Sequence, residues 1–376
     1  MQRYICIHGH FYQPPRENPW LEEVELQDAA HPFHDWNERI TSECYSRNAA
    51  ARILDSEGRI TKIVNNYAKI SFNFGATLLS WMERKDPEIY ADILKADQMS
   101  QERFHGHGSA LAQVYNHMIM PLANKNDKRT QVYWGIKDFE YRFKRKPEGM
   151  WLAETAVDLE SLDLMAEYGI KFTILAPHQA KRVRKIAQEE WFDVSGQKID
   201  TKKPYLCRLP SGKSITLFFY DGPMSRSIAF EGVLTSGDDF VRRLLSGFDY
   251  GRGRGEQLVH VATDGETYGH HHQFADMALA YAVDKIEKEG FATLTIYGEH
   301  LEKFPPQEEV EIFENTSWSC GHGVERWRSD CGCCIGTNPA WNQKWRAPLR
   351  QSLDWLRDEA AKIYVQHLTP YTNDAW

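Results

Sequence analysis

The sequence predicts an α/β protein built from β/α units around a mostly parallel sheet or barrel. Short apolar runs alternate along the chain with amphipathic helical stretches, which is typical of such units. Polar residues repeatedly follow the apolar runs, and α/β folds place their chemistry at the carboxyl ends of strands. We therefore expect the polar clusters to meet on one face of the sheet. They are His8 with His10, Asn73, His105 with His107, Glu154, and residues 264–272.

Composition narrows the class of protein. The 376 residues suffice for one large α/β domain or two smaller ones. The net charge of −8 has no basic stripe to offset it, which argues against a nucleic acid or an anionic membrane as partner. No stretch approaches the roughly 18 apolar residues of a membrane span. The start, "MQRYICIHGHF", lacks signal-peptide features, and an odd count of seven cysteines fits a reducing cytoplasm. We expect a cytoplasmic protein.

The N-terminal half is predicted to alternate strands and helices. A first strand over residues 4–11 ends in His8 and His10, and a polar loop follows to about residue 36. The elements expected next are a helix over 37–56, a strand over 68–75, a helix over 78–96, a strand end with an active-site loop over 106–122, and a helix over 128–144.

The C-terminal half continues the same alternation. The expected elements are a strand over 149–153, a helix over 159–168, a strand over 171–177, a hairpin over 205–222, a helix over 237–247, a strand from about 255, a helix over 274–289, a strand over 292–298 and a helix over 347–365. The basic run 181–185 favours a solvated helix face over a phosphate site. We expect a catalytic barrel over 1–305. Residues 306–376 are expected to form a loop rich in Cys and Trp and a helical region packed on the barrel.

Glu154 ends the apolar run 149–153, with Trp151 three residues before it. Such a glutamate could begin the next helix, where the helix dipole favours an acid. It could also be a catalytic group at a strand end, and the segment alone leaves both interpretations open. Asp264 ends the run "LVHVAT" in the same way, although Asp-Gly is also a common turn. Two carboxylates at two strand ends are what glycoside hydrolysis requires, together with flat aromatic faces for the sugar.

Three ordered motifs resemble glycoside hydrolase family 57. They are "HGHFYQPP" at residues 8–15, "GMWLAE" at 149–154 and "DGETYGH" at 264–270. Two additional residues separate His10 from Gln13 in the first motif. The segment corresponding to the family's second motif, 109–122, keeps His117 but lacks a glutamate.

The resemblance implies a (β/α)7-type distorted barrel with a short, mainly helical C-terminal region. It also implies retaining action on α-linked glucans, as in amylases, 4-α-glucanotransferases and branching enzymes, without a cofactor. Glu154 would be the nucleophile and Asp264 the acid/base. The expected substrate-binding residues in the motifs are His8, His10, Gln13, His117, Trp151, Glu266 and His270. Members of the branch that the chain resembles often carry a further C-terminal domain, which this chain would lack.

The two carboxylates need different surroundings for this chemistry. Glu154 must stay ionised, so we expect a hydrogen-bond donor beside it, such as His10 or an arginine. Asp264 must hold a proton near neutral pH, which requires a drier or more negative setting. Glu266 could supply that negative charge if it faces the same cleft.

Two other functions remain open at this point. His8, His10 and Asp264 could together bind zinc and form a metal-dependent polysaccharide deacetylase, since His-x-His at a strand end can chelate a metal ion. The protein could also be a non-catalytic glycan-binding barrel. Fully hydrogen-bonded core histidines are a third interpretation of the His-x-His pair.

The loop "SWSCGHGVERWRSDCGCC" allows three interpretations. It could hold a zinc ion, although paired C-x-x-C motifs are absent, or it could bury free thiols. It could also complete the sugar cleft with Arg326, Trp327 and Asp330, with Trp327 as a stacking platform. The possible metal ligands are Cys320, His322, Cys331, Cys333 and Cys334. Trp318, Trp341 and Trp345 are further stacking candidates, for which core packing is the ordinary role.

Overall fold

Seven strands, all parallel to their neighbours, form the wall of a barrel in the computed structural model, which describes residues 2–251, 255–333, 338 and 340–368. This confirms the (β/α)7-type barrel that the resemblance implies. In chain order the strands are β1 (Arg3–Phe11), β2 (Ser71–Phe74), β3 (Ala112–Gln113), β4 (Met150–Trp151), β5 (Phe172–Leu175), β6 (Ser214–Phe219) and β7 (Gln257–Asp264).

The order of strands around the wall is β7, β1, β2, β3, β4, β5, β6. Strand β1 pairs with β7 along most of its length and with β2 at its carboxyl end. Near its amino end it also pairs in parallel with the short strand Thr293–Leu294. A single bridge, Phe72 to Ala110, leads from β2 towards β3, and another leads from β4 to β5. The ring closes where the amide of Asp221, just after β6, donates to the carbonyl of His260 in β7 at 2.9 Å.

Alternation along β1 separates the barrel interior from the layer of helices outside it. Tyr4 and Cys6 pack among aromatic residues inside the barrel. Ile5 and Ile7 pack outward, against side chains of the surrounding helices. Because side chains of a strand alternate between its two faces, His8 and His10 follow Tyr4 and Cys6 to the inside.

Helices surround the barrel, and several begin at side-chain caps. Asn124, Asp158 and Asp221 each accept a hydrogen bond from a backbone amide in the first turn of the helix that follows. The helices are Trp36–Ile40, Ser46–Ala49, Ala76–Lys85, Pro87–Arg103, Lys125–Phe143, Leu159–Glu167, Gly222–Phe230, Gly237–Leu245, Ala275–Glu289, Tyr297–Lys303 and Arg346–Leu368. A π-helical turn, Thr41–Tyr45, joins the first two. Within the described ranges, every helix falls short of the length and apolarity that a membrane span needs.

A second sheet extends from β5 and β6. Its additional strands are Tyr205–Arg208, Glu308–Ile312, Ala180–Lys185 and Phe192–Asp193, in that order outward. The antiparallel pairing of Tyr205–Arg208 with β6 confirms the predicted hairpin. The helix predicted for the basic run 181–185 is wrong, because this run is a strand paired with Glu308–Ile312.

Three other boundaries differ from the predictions. The helix predicted over 37–56 stops at Ala49, and Ala51–Leu54 forms a hairpin with Ile60–Val64, because its buried and exposed residues alternate as in a strand. The helix predicted over 78–96 is two helices that meet at Pro87, where Asp86 caps the second. The strand predicted over 292–298 is limited to Thr293–Leu294.

Gly135 lets helix Lys125–Phe143 approach β3 closely. A Cβ at this position would lie 2.1 Å from the backbone oxygen of Gln113. Alanine usually stabilises a helix by about 1 kcal/mol relative to glycine. Here we expect Gly135→Ala to lower the free energy of unfolding by roughly 1–3 kcal/mol, because the helix must move away from the strand.

Urea unfolding of the purified chain measures this difference. Gly255→Ala is the matched control, since a Cβ there meets no atom of the described residues within 4 Å. Equal stability of the two variants would contradict the close contact described between this helix and β3.

Candidate active site

The register of β1 with β7 and β2 brings three polar residues to one level of the barrel. His10 lies opposite Asp264 of β7 and opposite Asn73 of β2. Asp264 is the last residue of its strand, so this level is the carboxyl end of the barrel. It is the end at which barrel enzymes carry their active sites.

Glu154 enters the same end of the barrel from a strained turn. It follows β4 in the short 3-10 turn Ala153–Thr155 and has φ 57° and ψ 19°, in the left-handed region that residues with a side chain seldom adopt. The interpretation of Glu154 as a helix-start acid is wrong, because the next helix begins at Leu159 and is capped by Asp158.

Trp318 holds the Glu154 carboxylate. Its indole Nε1 donates to Glu154 Oε2 at 3.0 Å, and its backbone amide donates to the carbonyl of Glu154 at 3.0 Å. The expectation that His10 would be the donor is wrong, because both ring nitrogens of His10 are paired with other side chains. The donor instead comes from the loop that was predicted to complete the cleft.

A continuous hydrogen-bond network fixes the histidines. The amide nitrogen of Asn73 lies 2.9 Å from Nδ1 of His10, and its amide oxygen lies 3.2 Å from Nε2 of His8. His8 Nδ1 is 3.0 Å from the hydroxyl of Ser71, and Asn73 also donates to Gln113 at 2.8 Å. In both rings Nδ1 accepts a hydrogen bond, so the single proton of each neutral imidazole lies on Nε2.

His10 Nε2 then donates to Nε2 of His117 at 2.9 Å, which leaves the proton of His117 on Nδ1. Burial lowers the pKa of His8 to about 3 and that of His117 to about 4, and it holds the pKa of His10 well below its usual value. All three imidazoles are therefore neutral near pH 7, and they act as hydrogen-bonding groups rather than as cations.

Trp151 supports this network from behind. Its ring stacks on those of His8 and His10, with centroids 4.9 and 5.1 Å away, and meets the edge of Trp318 at 5.1 Å. Trp151 and His8 are fully buried, and neither lines the cavities at the carboxyl end of the barrel in the described part of the chain. The structure thus places them beneath the site instead of on its surface.

Glu154 and Asp264 stand between two cavities. One cavity, of about 730 Å³, extends past Tyr220 and Trp318, and the other, of about 580 Å³, extends past His10 and Trp327. Both carboxylates line both cavities. Each volume is within the range of small-molecule pockets, about 300–1,000 Å³. A chain of sugar units could therefore cross the carboxylate pair, with units on each side of it.

Asp264 holds its proton to a higher pH than an ordinary aspartate does. Its side chain is exposed to the cavities, yet desolvation by the surrounding barrel and, secondly, the charge of Glu154 raise the pKa of Asp264 to about 6. The expected role of Glu266 as the source of negative charge is not supported, because Glu154 is the neighbour that raises this pKa.

Glu266 is itself buried and protonated near neutral pH. Burial raises the pKa of Glu266 to about 8. Its Oε1 accepts hydrogen bonds from the amide of Tyr12 at 3.0 Å and from the hydroxyl of Tyr45 at 2.5 Å. Glu266 therefore connects the segment after β1 to the turn Thr41–Tyr45.

The other predicted site residues divide into two groups. Gln13, His117, His270 and Trp327 line the 580 Å³ cavity together with Glu154 and Asp264. Arg326 and Asp330 instead bond within the C-terminal region, to the carbonyl of Ser319 and the amide of Gln343 respectively. Trp341 and Trp345 are exposed. Cys334 lies outside the described residues.

The proposed zinc site at His8, His10 and Asp264 is not formed. Both ring nitrogens of His8 are used by Ser71 and Asn73. Among the described residues, these three are not one of the groups whose ligand atoms lie close enough to share an ion. The geometry therefore gives no support to the deacetylase interpretation.

The sequence did not predict the contributions of two residues to the site. Trp318 was considered only as a stacking residue, and its contact with Glu154 spans 164 positions, so no local pattern reports it. Tyr12 stacks on His117 with centroids 3.7 Å apart. Its position directly after a strand of His-x-His pattern was an available signal.

Known proteins share sequence and fold with this chain. The model of glycosyl hydrolase family 57 matches residues 5–312, and that of a domain of unknown function matches residues 341–376. An α-amylase of Pyrococcus horikoshii is 24% identical over 262 residues, which are 67% of this chain and 37% of that protein.

Two solved structures share the fold. The exo-type maltose-forming amylase of Pyrococcus sp. ST04 superposes with a TM-score of 0.66 and 15% identity over 93% of this chain and 61% of its own. The 4-α-glucanotransferase of Thermococcus litoralis superposes with a TM-score of 0.61 and 17% identity over 99% of this chain and 48% of its own. The chain thus spans between about one third and three fifths of the length of these proteins.

Replacing Glu266 with Gln tests whether the buried carboxyl group of Glu266 is protonated in the folded protein. Since the folded-state pKa of Glu266 is raised from 4.5 to about 8, the wild type loses stability as pH rises between these values. Gln keeps the Oε1 acceptor and does not ionise. We expect the wild type to lose roughly 2–5 kcal/mol relative to Glu266→Gln between about pH 5 and pH 8.5.

Urea unfolding of both proteins at the two pH values measures the effect. The exposed Glu167→Gln is the control, and it should follow the wild type at both pH values. Parallel stability of wild type and Glu266→Gln would show that Glu266 is ionised in the folded state.

Proposed function

The chain belongs to glycosyl hydrolase family 57, and we propose that it is a retaining glycoside hydrolase or transglycosidase acting on α-linked glucans. The observation that carries this proposal is the pair of carboxylates, Glu154 and Asp264, placed where two cavities meet at the carboxyl end of the barrel. Desolvation and the charge of Glu154 raise the pKa of Asp264 to about 6. This pKa suits Asp264 to donate a proton, which leaves the role of nucleophile to Glu154.

The names of the relatives support a glucan as substrate. They include an α-amylase, a maltose-forming amylase and a 4-α-glucanotransferase. All of these proteins are longer than the segment that they share with this chain. The assignment of an α-glucan to this chain therefore rests on the shared family and on the shape and chemistry of its own site.

In the first step Glu154 attacks the anomeric carbon of the sugar bound between the cavities. The bond to the glycosidic oxygen breaks, and Asp264 donates its proton to that oxygen as the leaving chain departs. The product is a sugar ester of Glu154. In the second step Asp264 removes a proton from water or from a sugar hydroxyl, and the resulting oxygen nucleophile displaces Glu154.

Other residues position the reactants. Trp318 fixes Glu154 Oε2 through its indole N–H. Neutral His117 is suited to donate a hydrogen bond from Nδ1 to a sugar hydroxyl, and His10 orients the ring of His117 through its own Nε2. Trp327 lines the same cavity and offers an aromatic face to a sugar ring.

Product analysis tests the function. Purified protein is incubated with maltooligosaccharides of one length, and the products are separated by size. Chains longer than the substrate indicate transfer, while shorter products alone indicate hydrolysis. Binding without any turnover of the α-glucans tested would favour the non-catalytic glycan-binding alternative.

In the same assay, Glu154→Gln should lose nearly all turnover while keeping its fold and its affinity for glucan, since only the nucleophile is removed. Glu167→Gln, on the exposed side of the following helix, is the matched control and should retain activity. Residual Glu154→Gln activity within about tenfold of wild type, roughly 1.4 kcal/mol of barrier, would exclude Glu154 as the nucleophile.

The acid role of Asp264 predicts the alkaline limb of the pH profile. Because the proton of Asp264 must be present for the leaving group, kcat/KM should fall as pH rises through about 6, the raised pKa of this group. Steady-state rates between about pH 4 and pH 9 measure this limb. An activity that stays constant from about pH 5 to pH 8 would contradict the assignment.

A further inference from the structure

Four potential metal ligands meet in the loop that carries Trp318 and Trp327. They are Cys320, His322, Cys331 and Cys333, here named the Cys/His cluster, and their ligand atoms all lie within 4.8 Å of one another. The cluster is separate from the carboxylate pair, and the reaction proposed above makes no use of it. Its spacing, Cys-x-His followed after eight residues by Cys-x-Cys, lacks the paired motifs by which zinc sites are usually recognised.

Three distances within the Cys/His cluster match the edges of a tetrahedral site. The Sγ atoms of Cys320 and Cys333 are 3.6 Å apart, and Nδ1 of His322 lies 3.7 and 3.4 Å from them. With Zn–S bonds of about 2.3 Å and Zn–N bonds of about 2.0–2.1 Å, a tetrahedron has S···S edges of about 3.8 Å and S···N edges of about 3.5 Å. A disulfide would instead bring two sulfurs to about 2.05 Å.

We propose that the Cys/His cluster binds one zinc ion. Three thiolates and one imidazole are a ligand set typical of structural zinc. Binding releases the three thiol protons to solvent and needs no oxidant or reductant. The amide of His322 lies 3.4 Å from Cys320 Sγ, in position to donate to that sulfur as a thiolate.

The charge of such a site is balanced from the same region. Zinc with three thiolates and a neutral imidazole carries a net charge of about −1. Oε1 of Gln343 accepts a hydrogen bond from Arg346 at 3.0 Å and another from the Cys331 thiol at 3.2 Å. A guanidinium therefore stands one side chain away from the cluster.

The zinc ion would position the aromatic residues of the active site. Cys320 is two residues after Trp318, which holds Glu154, and Trp327 lies between the two halves of the cluster. On the other side, Val157 and Thr316 are joined by a backbone hydrogen bond of 3.2 Å, which ties the loop to the segment after Glu154. This positioning role rests on the proposed function, whereas the metal site itself does not.

Metal analysis of the full chain, purified under reducing conditions from zinc-supplemented medium, tests the site. We expect about one zinc ion per chain in the wild type and in Cys207→Ser, which replaces a buried thiol outside the cluster. The double variant Cys331→Ser/Cys333→Ser should lose that zinc. Less than about a tenth of an equivalent in the wild type, or full occupancy in the double variant, would overturn the proposal.

Cobalt substitution tests the same metal site without a variant protein. Wild-type protein stripped of metal by a chelator and then given Co²⁺ should show the visible bands and the thiolate charge-transfer band of tetrahedral cobalt. A spectrum of octahedral, oxygen-bound cobalt, or a Cys320–Cys333 disulfide in the isolated protein, would overturn the site. Both readouts are independent of glucan turnover, so a failure of the metal site is distinguishable from a failure of the proposed function.

Discussion

The parallel register of β1 with β7 and β2 is the constraint on which the site depends. It places His10 opposite both Asp264 and Asn73, so that one imidazole, one carboxylate and one amide share a level at the end of the barrel. A shift of one residue would turn each side chain to the opposite face of its strand. Asn73 then fixes His8 and His10 together, and the buried ring of Trp151 supports both.

Burial and the neutral state of the imidazoles determine the protonation of the carboxyl groups at that level. The imidazoles beside the carboxylates are neutral, because burial lowers the pKa of each one. They therefore do not offset the charge of Glu154, whose repulsion adds to desolvation in raising the pKa of Asp264 to about 6. Trp318 stabilises Glu154 with a neutral donor, and it leaves the repulsion between the carboxylates in place. The proposed mechanism uses this difference, with Glu154 as the group that attacks and Asp264 as the group that donates a proton.

The sequence predicted the parts of the site that strands deliver. His10, Glu154 and Asp264 stand where apolar runs stop, and parallel strands bring such positions together. The prediction was wrong for His105 and His107, which line neither cavity in the described part of the chain. The sequence did not predict the contacts that loops make, because the path of residues 313–333 over the barrel depends on tertiary packing. For this reason the sequence did not identify Trp318 as the partner of Glu154. For the same reason the spacing of the Cys/His cluster was only weak evidence for a metal site. The strand at Ala51–Leu54 was missed because a helical interpretation was extended through a short alternating segment.

Trapping of the sugar ester on Glu154 tests the central claim most directly. A fluorinated α-glucosyl fluoride, which slows release of the ester, is incubated with the protein, and the peptides are then analysed by mass spectrometry. We predict a glycosyl adduct on the peptide that contains Glu154, and no adduct in Glu154→Gln. An adduct on a different carboxylate, or turnover of an α-glucan with inversion of the anomeric configuration, would contradict the account.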